Sequence, residues 1–144
     1  MASEWGKVKI DDLKASSAGS IAIGPFGSRM KADVYVDAGT PVIRGNNLGG
    51  RDFVGDFVYV PEDFAAEMPN CLVRKGDLVF PHRGAIGEVG IVPDDKTYII
   101  STSLMKLTLD RKLADPDFVF HFFKSEQGRH ELLKNASTVG TPGI

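Results

Sequence analysis

The stretch DLVFPHRGAIGEVGIVPDDKTYIISTSLMKLTL, residues 77–109, decides which fold is expected of this chain. Short runs rich in β-branched and aromatic residues recur along it, with glycines or prolines between them. These runs cover residues 77–80, 88–92, 97–100 and 104–109. Evenly spaced short strands separated by turn residues are typical of an antiparallel sheet or a partial barrel.

The segments before this stretch add further short strands and one short helix. Strands are predicted at 5–10, 20–23, 33–36, 40–44 and 57–60. A helix is predicted to open at Pro61, because proline and the acidic residues that follow it suit a first helical turn. That helix should end before Pro69.

The segment after the central stretch predicts two helices. Asp115 and Pro116 have the residue types of an N-cap and a first helical position, and a strongly apolar helix over 118–124 follows them. Gly128 is expected to break this helix, and a second helical piece is predicted over 129–135. The fold class expected is therefore α+β, a mostly antiparallel sheet or partial barrel with a C-terminal helical pair.

Composition narrows the kind of protein further. At 144 residues with 42% hydrophobic and 25% charged residues, the chain has the make-up of one ordinary globular domain. No apolar run approaches a membrane span, and the first residues lack the regions of a signal peptide. Cys71 is the single cysteine, so there is no internal disulfide, and the three histidines are too scattered for a metal set. We therefore expect a cytoplasmic protein with no membrane association, cofactor or metal.

Arginines on glycine-flanked turns are the main candidate binding feature. Three segments place one beside an apolar run, at 26–29, 42–47 and 79–84. Loops that follow strands often carry binding residues, and arginine and asparagine make bidentate contacts with guanine and adenine edges. The candidate DNA-binding residues are Arg29, Lys31, Arg44, Asn46, Asn47, Arg51, His82 and Arg83. The alternative is that they are ordinary solvated turn residues.

The net charge of −2 restricts how such a surface could bind DNA. Wholesale electrostatic binding would call for a basic domain. If DNA is the partner, the cations must be clustered on one face, or most of the affinity must come from a larger assembly.

Two other functions fit parts of the sequence. Asp94, Asp110 and Lys112 match a loose pattern of metal-dependent nucleases, in which carboxylates hold a divalent metal and a lysine positions water. The pattern has low specificity, since residues 12–14 and 94–96 match its second half equally well. A protein-interaction remnant without DNA binding is the other alternative.

Several segments, taken in order, resemble the target recognition domain of type I restriction-modification DNA specificity subunits. Besides Trp5 and Leu13, the resembling segments are 23–31, 35–48, 75–80, 83–87, 115–125 and 137–140. In that family a subunit carries two such domains, each of which reads half of a split DNA target, and long helices join them. The resemblance implies a non-enzymatic, sequence-specific DNA-recognition module of host defence.

The resemblance also implies partners. The long helices of the family dock adenine methyltransferase subunits, which bind S-adenosylmethionine, and through them the restriction/translocase subunit. Residues 1–144 are expected to form one recognition domain that binds double-stranded DNA and lacks the long connector helix expected after it. The family's glycine-rich motifs serve as scaffold in one interpretation, in which 47–58 and 93–104 carry specificity.

Overall fold

Two four-stranded sheets form the framework of the domain. The computed structural model describes residues 10–16, 19–25, 32–48, 53–82, 84 and 86–134. The first sheet has the strand order β1–β8–β5–β6 and is antiparallel throughout. Its strands, in that order, are Ile21–Ile23, Leu104–Leu107, Leu78–Pro81 and Gly90–Ile91.

The second sheet contains the one parallel strand pair found among the described residues. Its order is β3–β2–β7–β4, and β2 and β7 run parallel with Val42 opposite Ile99. The strands, in that order, are Val58–Val60, Thr40–Ile43, Tyr98–Ile100 and Leu72–Val73. The expectation of a mostly antiparallel fold is confirmed, and in the part of the chain that the structure describes the sheets form no closed barrel.

The central strands form because their side chains are buried on both faces. Every residue of β5, β7 and β8 is buried, which accounts for the largely apolar composition of these segments; Lys106 in β8 is the one charged residue among them. The predicted strands at 20–23, 40–44, 57–60 and across 77–109 are confirmed, with ends shifted by one or two residues. The helix predicted after Pro61 is also present, as α2 over Glu62–Ala66.

The C-terminal helical pair packs on the first sheet. Helix α3 spans Pro116–Lys124, and the Asp115 side chain caps it by accepting a hydrogen bond from the Asp117 amide at 3.1 Å. Phe123 packs edge-on against Phe80 of β5, with ring centroids 5.2 Å apart. This contact joins the helical pair to the core of the first sheet.

The break between the two helices lies at Ser125, so the break predicted at Gly128 is wrong. Ser125 has an extended backbone, and α4 begins directly after it and spans Glu126–Lys134. Gly128 is buried inside α4, where a Cβ atom would lie 1.9 Å from the backbone oxygen of Phe122. The glycine is therefore there for the close approach of α4 to the end of α3.

Two predicted strands are not strands in the described residues. Residues 33–36 carry a 3-10 turn over Ala32–Val34 and only an isolated bridge at Val36. Ile10, placed at the end of a strand over 5–10, instead begins the single-turn helix α1 over Ile10–Leu13. The rest of that segment lies outside the described residues.

Candidate nucleic-acid interface

Three strand ends meet at one edge of the molecule. Strand β1 ends at Ile23 opposite Met105, and β5 ends at Pro81 opposite Leu104, so both flank the start of β8. Strand β2 ends beside the end of β7, where Ile43 pairs with Ile100. All three ends therefore surround residues 101–103, the turn that joins β7 to β8. We call this region the arginine-turn edge, because each of the three segments predicted to carry an arginine turn overlaps or follows one of these strand ends along the chain; residues 26–29 and 83 lie outside the described residues.

Backbone hydrogen bonds tie the starts of the three turns to that central connection. The Gly24 amide donates to the Leu104 carbonyl at 2.8 Å, and the His82 amide donates to the Ser103 carbonyl at 2.9 Å. The Ser101 amide donates to the Ile43 carbonyl at 3.0 Å. Bonds between backbone groups of neighbouring strands fix the positions of these loop starts relative to one another.

Gly24 is required for this close packing. A Cβ atom at Gly24 would lie 1.9 Å from the backbone oxygen of Ser101, well inside van der Waals contact. The chain directly after β1 can therefore approach the 101–103 turn this closely only with glycine at position 24.

Arg44 lies at an open cleft on the arginine-turn edge. The cleft has a volume of about 300 Å³ and is lined by Tyr35, Arg44, Gly45, Ser101, Thr102 and Ser103. One Arg44 nitrogen, Nη2, donates to the Asp56 carbonyl at 3.3 Å, while the buried Nε has no hydrogen-bond partner among the described residues. The guanidinium is thus anchored at one nitrogen and is half-exposed beside hydroxyl groups.

Asn47 is fully buried and holds the loop that carries Arg44. Its Oδ1 accepts a hydrogen bond from the Arg44 amide at 2.9 Å, and its Nδ2 donates to the carbonyls of Val54 and Asp56 at 2.7 and 3.2 Å. With its amide engaged in this way, Asn47 positions the loop in this conformation. Its neighbour Asn46 is exposed.

His82 is also buried, with 9% of its surface exposed. Its Nε2 lies 3.0 Å from the Thr102 carbonyl. Since a carbonyl oxygen can only accept, Nε2 carries the proton in this contact. The ring therefore links the end of β5 to the 101–103 turn.

The other four candidate residues, Arg29, Lys31, Arg51 and Arg83, lie outside the described residues. Sequence patterns singled out the arginines but not the hydroxyl residues Ser101, Thr102 and Ser103, although they fall within the 93–104 segment expected to carry specificity. A short polar run between two buried apolar strands was the available signal.

The carboxylates of the nuclease pattern stabilise local turns. Asp94 accepts hydrogen bonds from the Tyr98 hydroxyl at 3.0 and 3.1 Å, and the Asp110 side chain accepts one from the Lys112 amide at 2.9 Å. Burial, followed by the hydrogen bond and charge of Asp94, raises the pKa of Tyr98 to about 12. Within the described ranges, no three histidine, cysteine or acidic side chains come together as a metal site.

Known proteins share both this fold and part of this sequence. The HsdS subunit from Thermoanaerobacter tengcongensis superposes with a TM-score of 0.64 and 14% identity, over 95% of this chain and 31% of that one. A second chain, from a structure that describes complex assembly and conformational transition of the type I restriction-modification system, superposes with a TM-score of 0.65 and 14% identity. The match covers 95% of this chain and 30% of that one. The fold is that of a type I specificity-subunit domain.

A third structure and one sequence relative agree with this assignment. The type I restriction-modification S subunit from M. genitalium gives a TM-score of 0.57 and 17% identity, over 95% of this chain and 30% of that one. The type I restriction enzyme MjaVIII specificity subunit of Methanocaldococcus jannaschii is 26% identical over 137 residues, 91% of this chain. The resemblance inferred from the sequence is thus confirmed.

The likeness covers a single domain-sized part of those proteins. The chain spans 30% of the length of the curated relative that it matches. No protein-family profile matches the chain. None of the helices in the described part of the chain is both long and apolar enough to cross a membrane.

Proposed function

We propose that this chain is a sequence-specific DNA-recognition module of a type I restriction-modification specificity subunit and that it contacts DNA through the arginine-turn edge. The observation that carries the proposal is the meeting of three strand ends around residues 101–103. Turns chosen from the sequence for their arginines and asparagines all start there. Similarity to a specificity subunit over 91% of the chain supports the same function.

We propose different roles for the four candidate residues that the structure describes. Arg44 and Asn46 are accessible on a loop that rigid strands hold, so they are the proposed DNA contacts within the described part of the site. Asn47 and His82 act as positioning residues, because their polar side-chain atoms bond to this chain's own backbone. Arg29, Lys31, Arg51 and Arg83 remain proposed contacts.

The proposed protein partners rest on the similarity to specificity subunits, and the low net charge is consistent with a need for them. At −2 the chain carries no general attraction for a polyanion, so affinity in isolation should be modest and sensitive to salt. We propose that an adenine methyltransferase subunit, and through it a restriction/translocase subunit, supplies the rest of the binding energy in the cytoplasm. In this scheme the chain positions the enzyme and does no chemistry itself.

Binding to a selected duplex tests this function. Duplexes enriched from a random library at low salt provide the ligand, and fluorescence anisotropy measures the affinity of the parent chain and of Arg44→Ala. Loss of one bidentate base contact of about 1–3 kcal/mol corresponds to a loss of affinity between roughly fivefold and 150-fold. Lys124→Ala, which removes an exposed cation from α3, should bind like the parent. Equal affinity of all three proteins would exclude Arg44 from the interface.

A further inference from the structure

A second basic region lies at the ends of β5 and β8 opposite to the arginine-turn edge. There the start of β5 and the end of β8 border a cavity of about 410 Å³, whose basic lining residues are Arg74, Lys75, Lys106 and Arg111. Strands β5 and β8 are each four residues long, so the cavity and the arginine-turn edge are separated by roughly 10–13 Å of strand. The cavity is therefore distinct from the cleft at Arg44.

The cavity carries an excess of positive charge. Asp77 is the single acidic residue among its lining residues, against four basic ones. Both Asp77 oxygens are engaged, since Oδ2 accepts from the Arg74 amide and Oδ1 from the Thr108 hydroxyl, each at 2.8 Å. Across the described part of the chain, none of the four cations forms an ion pair with a carboxylate. The positive charge of the four lining cations is thus largely uncompensated.

Lys106 shows the energetic consequence of that arrangement. Its side chain is buried at 7% exposure, and Nζ donates one hydrogen bond, to the Leu72 carbonyl at 2.8 Å. Burial is the main cause that lowers the pKa of Lys106 below its ordinary value; Asp77 opposes this shift and Arg74 adds to it. An ammonium group has three donors, so an anion in the cavity would compensate a buried charge that the protein leaves partly unpaired.

Close packing of Arg111 against Gly76 shapes one wall of the cavity. Gly76 has a φ of +89°, and a Cβ atom there would lie 2.0 Å from Nη2 of Arg111. The same Nη2 donates a hydrogen bond to the Lys75 carbonyl at 2.6 Å. The Arg111 guanidinium is thereby held over the 74–77 turn, with its remaining donors free to meet a ligand.

We propose that this cavity binds a phosphate group through Lys75, Lys106 and Arg111. Cations that approach from three chain segments suit a tetrahedral oxyanion, since guanidinium and ammonium groups make charge-assisted bonds to separate oxygens. A cavity of 410 Å³ leaves room for the molecule to which the phosphate is attached. The phosphate belongs either to a free phosphate compound or to a DNA backbone, and the two sources are separated by experiment.

The test uses inorganic phosphate and two variants of equal net charge. Calorimetric titration at constant ionic strength, with chloride as the background anion, compares the parent with Lys75→Gln/Arg111→Gln and with Lys96→Gln/Lys124→Gln. The control pair removes two exposed cations that do not line the cavity. We expect phosphate binding to weaken about tenfold or more in the first pair and to stay within about twofold in the control. Lys75→Gln alone, at an exposed position, gives the same direction should the pair fold poorly.

A second arm identifies the source of the phosphate. If the first pair also weakens binding of a short duplex and lowers its salt dependence, the ligand is a backbone phosphate. If duplex binding is unchanged while phosphate binding is lost, the ligand is a free phosphate compound. Absence of phosphate binding by the parent, or equal loss in both pairs, would overturn the proposal.

This outcome is separable from that of the proposed function. Arg44→Ala should alter duplex binding and leave phosphate binding intact. A chain that binds phosphate through the cavity but no duplex would refute DNA recognition alone.

Discussion

Replacing Asn47 by alanine should lower the free energy of unfolding of the domain, whereas replacing the adjacent Asn46 should leave it nearly unchanged. Asn47→Ala removes three hydrogen bonds made by a side chain that is fully buried. The Arg44 amide and the carbonyls of Val54 and Asp56 lose these bonds in a part-buried site, and each lost bond costs about 1 kcal/mol. The expected decrease in the free energy of unfolding is therefore about 3 kcal/mol, a large part of the 5–15 kcal/mol typical of a domain.

Urea denaturation and thermal unfolding both measure this effect. For a chain of this size about 3 kcal/mol corresponds to a decrease in Tm of roughly 6–12 °C. Asn46→Ala, at an exposed position, should stay within about 0.5 kcal/mol of the parent. Asn46→Ala should instead weaken duplex binding. If Asn47→Ala were as stable as the parent, or if Asn46→Ala lost the same stability, the division into a positioning residue and a contact residue would be wrong.

Three further perturbations test other parts of the structure. Gly128→Ala should destabilise the domain by about 1–3 kcal/mol in urea denaturation, because the added Cβ would lie 1.9 Å from the Phe122 oxygen. This cost should exceed the gain from alanine's better helix propensity. Gln127→Ala, at an exposed position in the same helix, is the control. Tyr98→Phe should cost about 1–2 kcal/mol through loss of the bond to Asp94, and ultraviolet titration should assign to Tyr98 an ionisation near pH 12 that the variant lacks. Folding lowers the pKa of Lys106, so the unfolded chain binds more protons than the folded chain between the folded pKa and about 10.4. The free energy of unfolding of the parent should therefore rise relative to that of Lys106→Met as the pH increases from neutral to about 10. A stability difference that does not change with pH would contradict the burial of Lys106.

The central sheet and the helical pair could be predicted because their signals are local. Strands β5 and β7 are continuous apolar runs, and β8 is interrupted only by Lys106, since both faces of these strands are buried. Asp115 and Pro116 mark the start of α3 by the same chemistry that operates in the folded helix. In segments of this kind, a few neighbouring residues are enough to predict the strand or the start of the helix.

Other features depend on contacts between residues far apart in the sequence. The parallel pairing of β2 with β7 joins segments separated by more than fifty residues. Gly128 has the residue type of a helix breaker, and only the approach of Phe122 shows why it lies within a helix. Tertiary packing overrides propensity in such places.

The sequence proposes candidate binding residues but does not separate their roles. Arginine turns could be recognised from the sequence, but Asn46 and Asn47 are the same residue type at adjacent positions. Only the structure separates an exposed amide from one bonded to Val54 and Asp56. The cations of the basic cavity, at 74–75, 106 and 111, form no motif along the chain.

Mapping a bound duplex onto the chain tests the central claim most directly. Amide NMR spectra of the labelled protein, recorded as a duplex selected from a random library is added, report which residues meet DNA. We expect the largest shifts among the described residues at Arg44–Asn46 and at Ser101–Ser103, around the arginine-turn edge. Shifts that are largest on α3 and α4, with the arginine-turn edge unchanged, would contradict it.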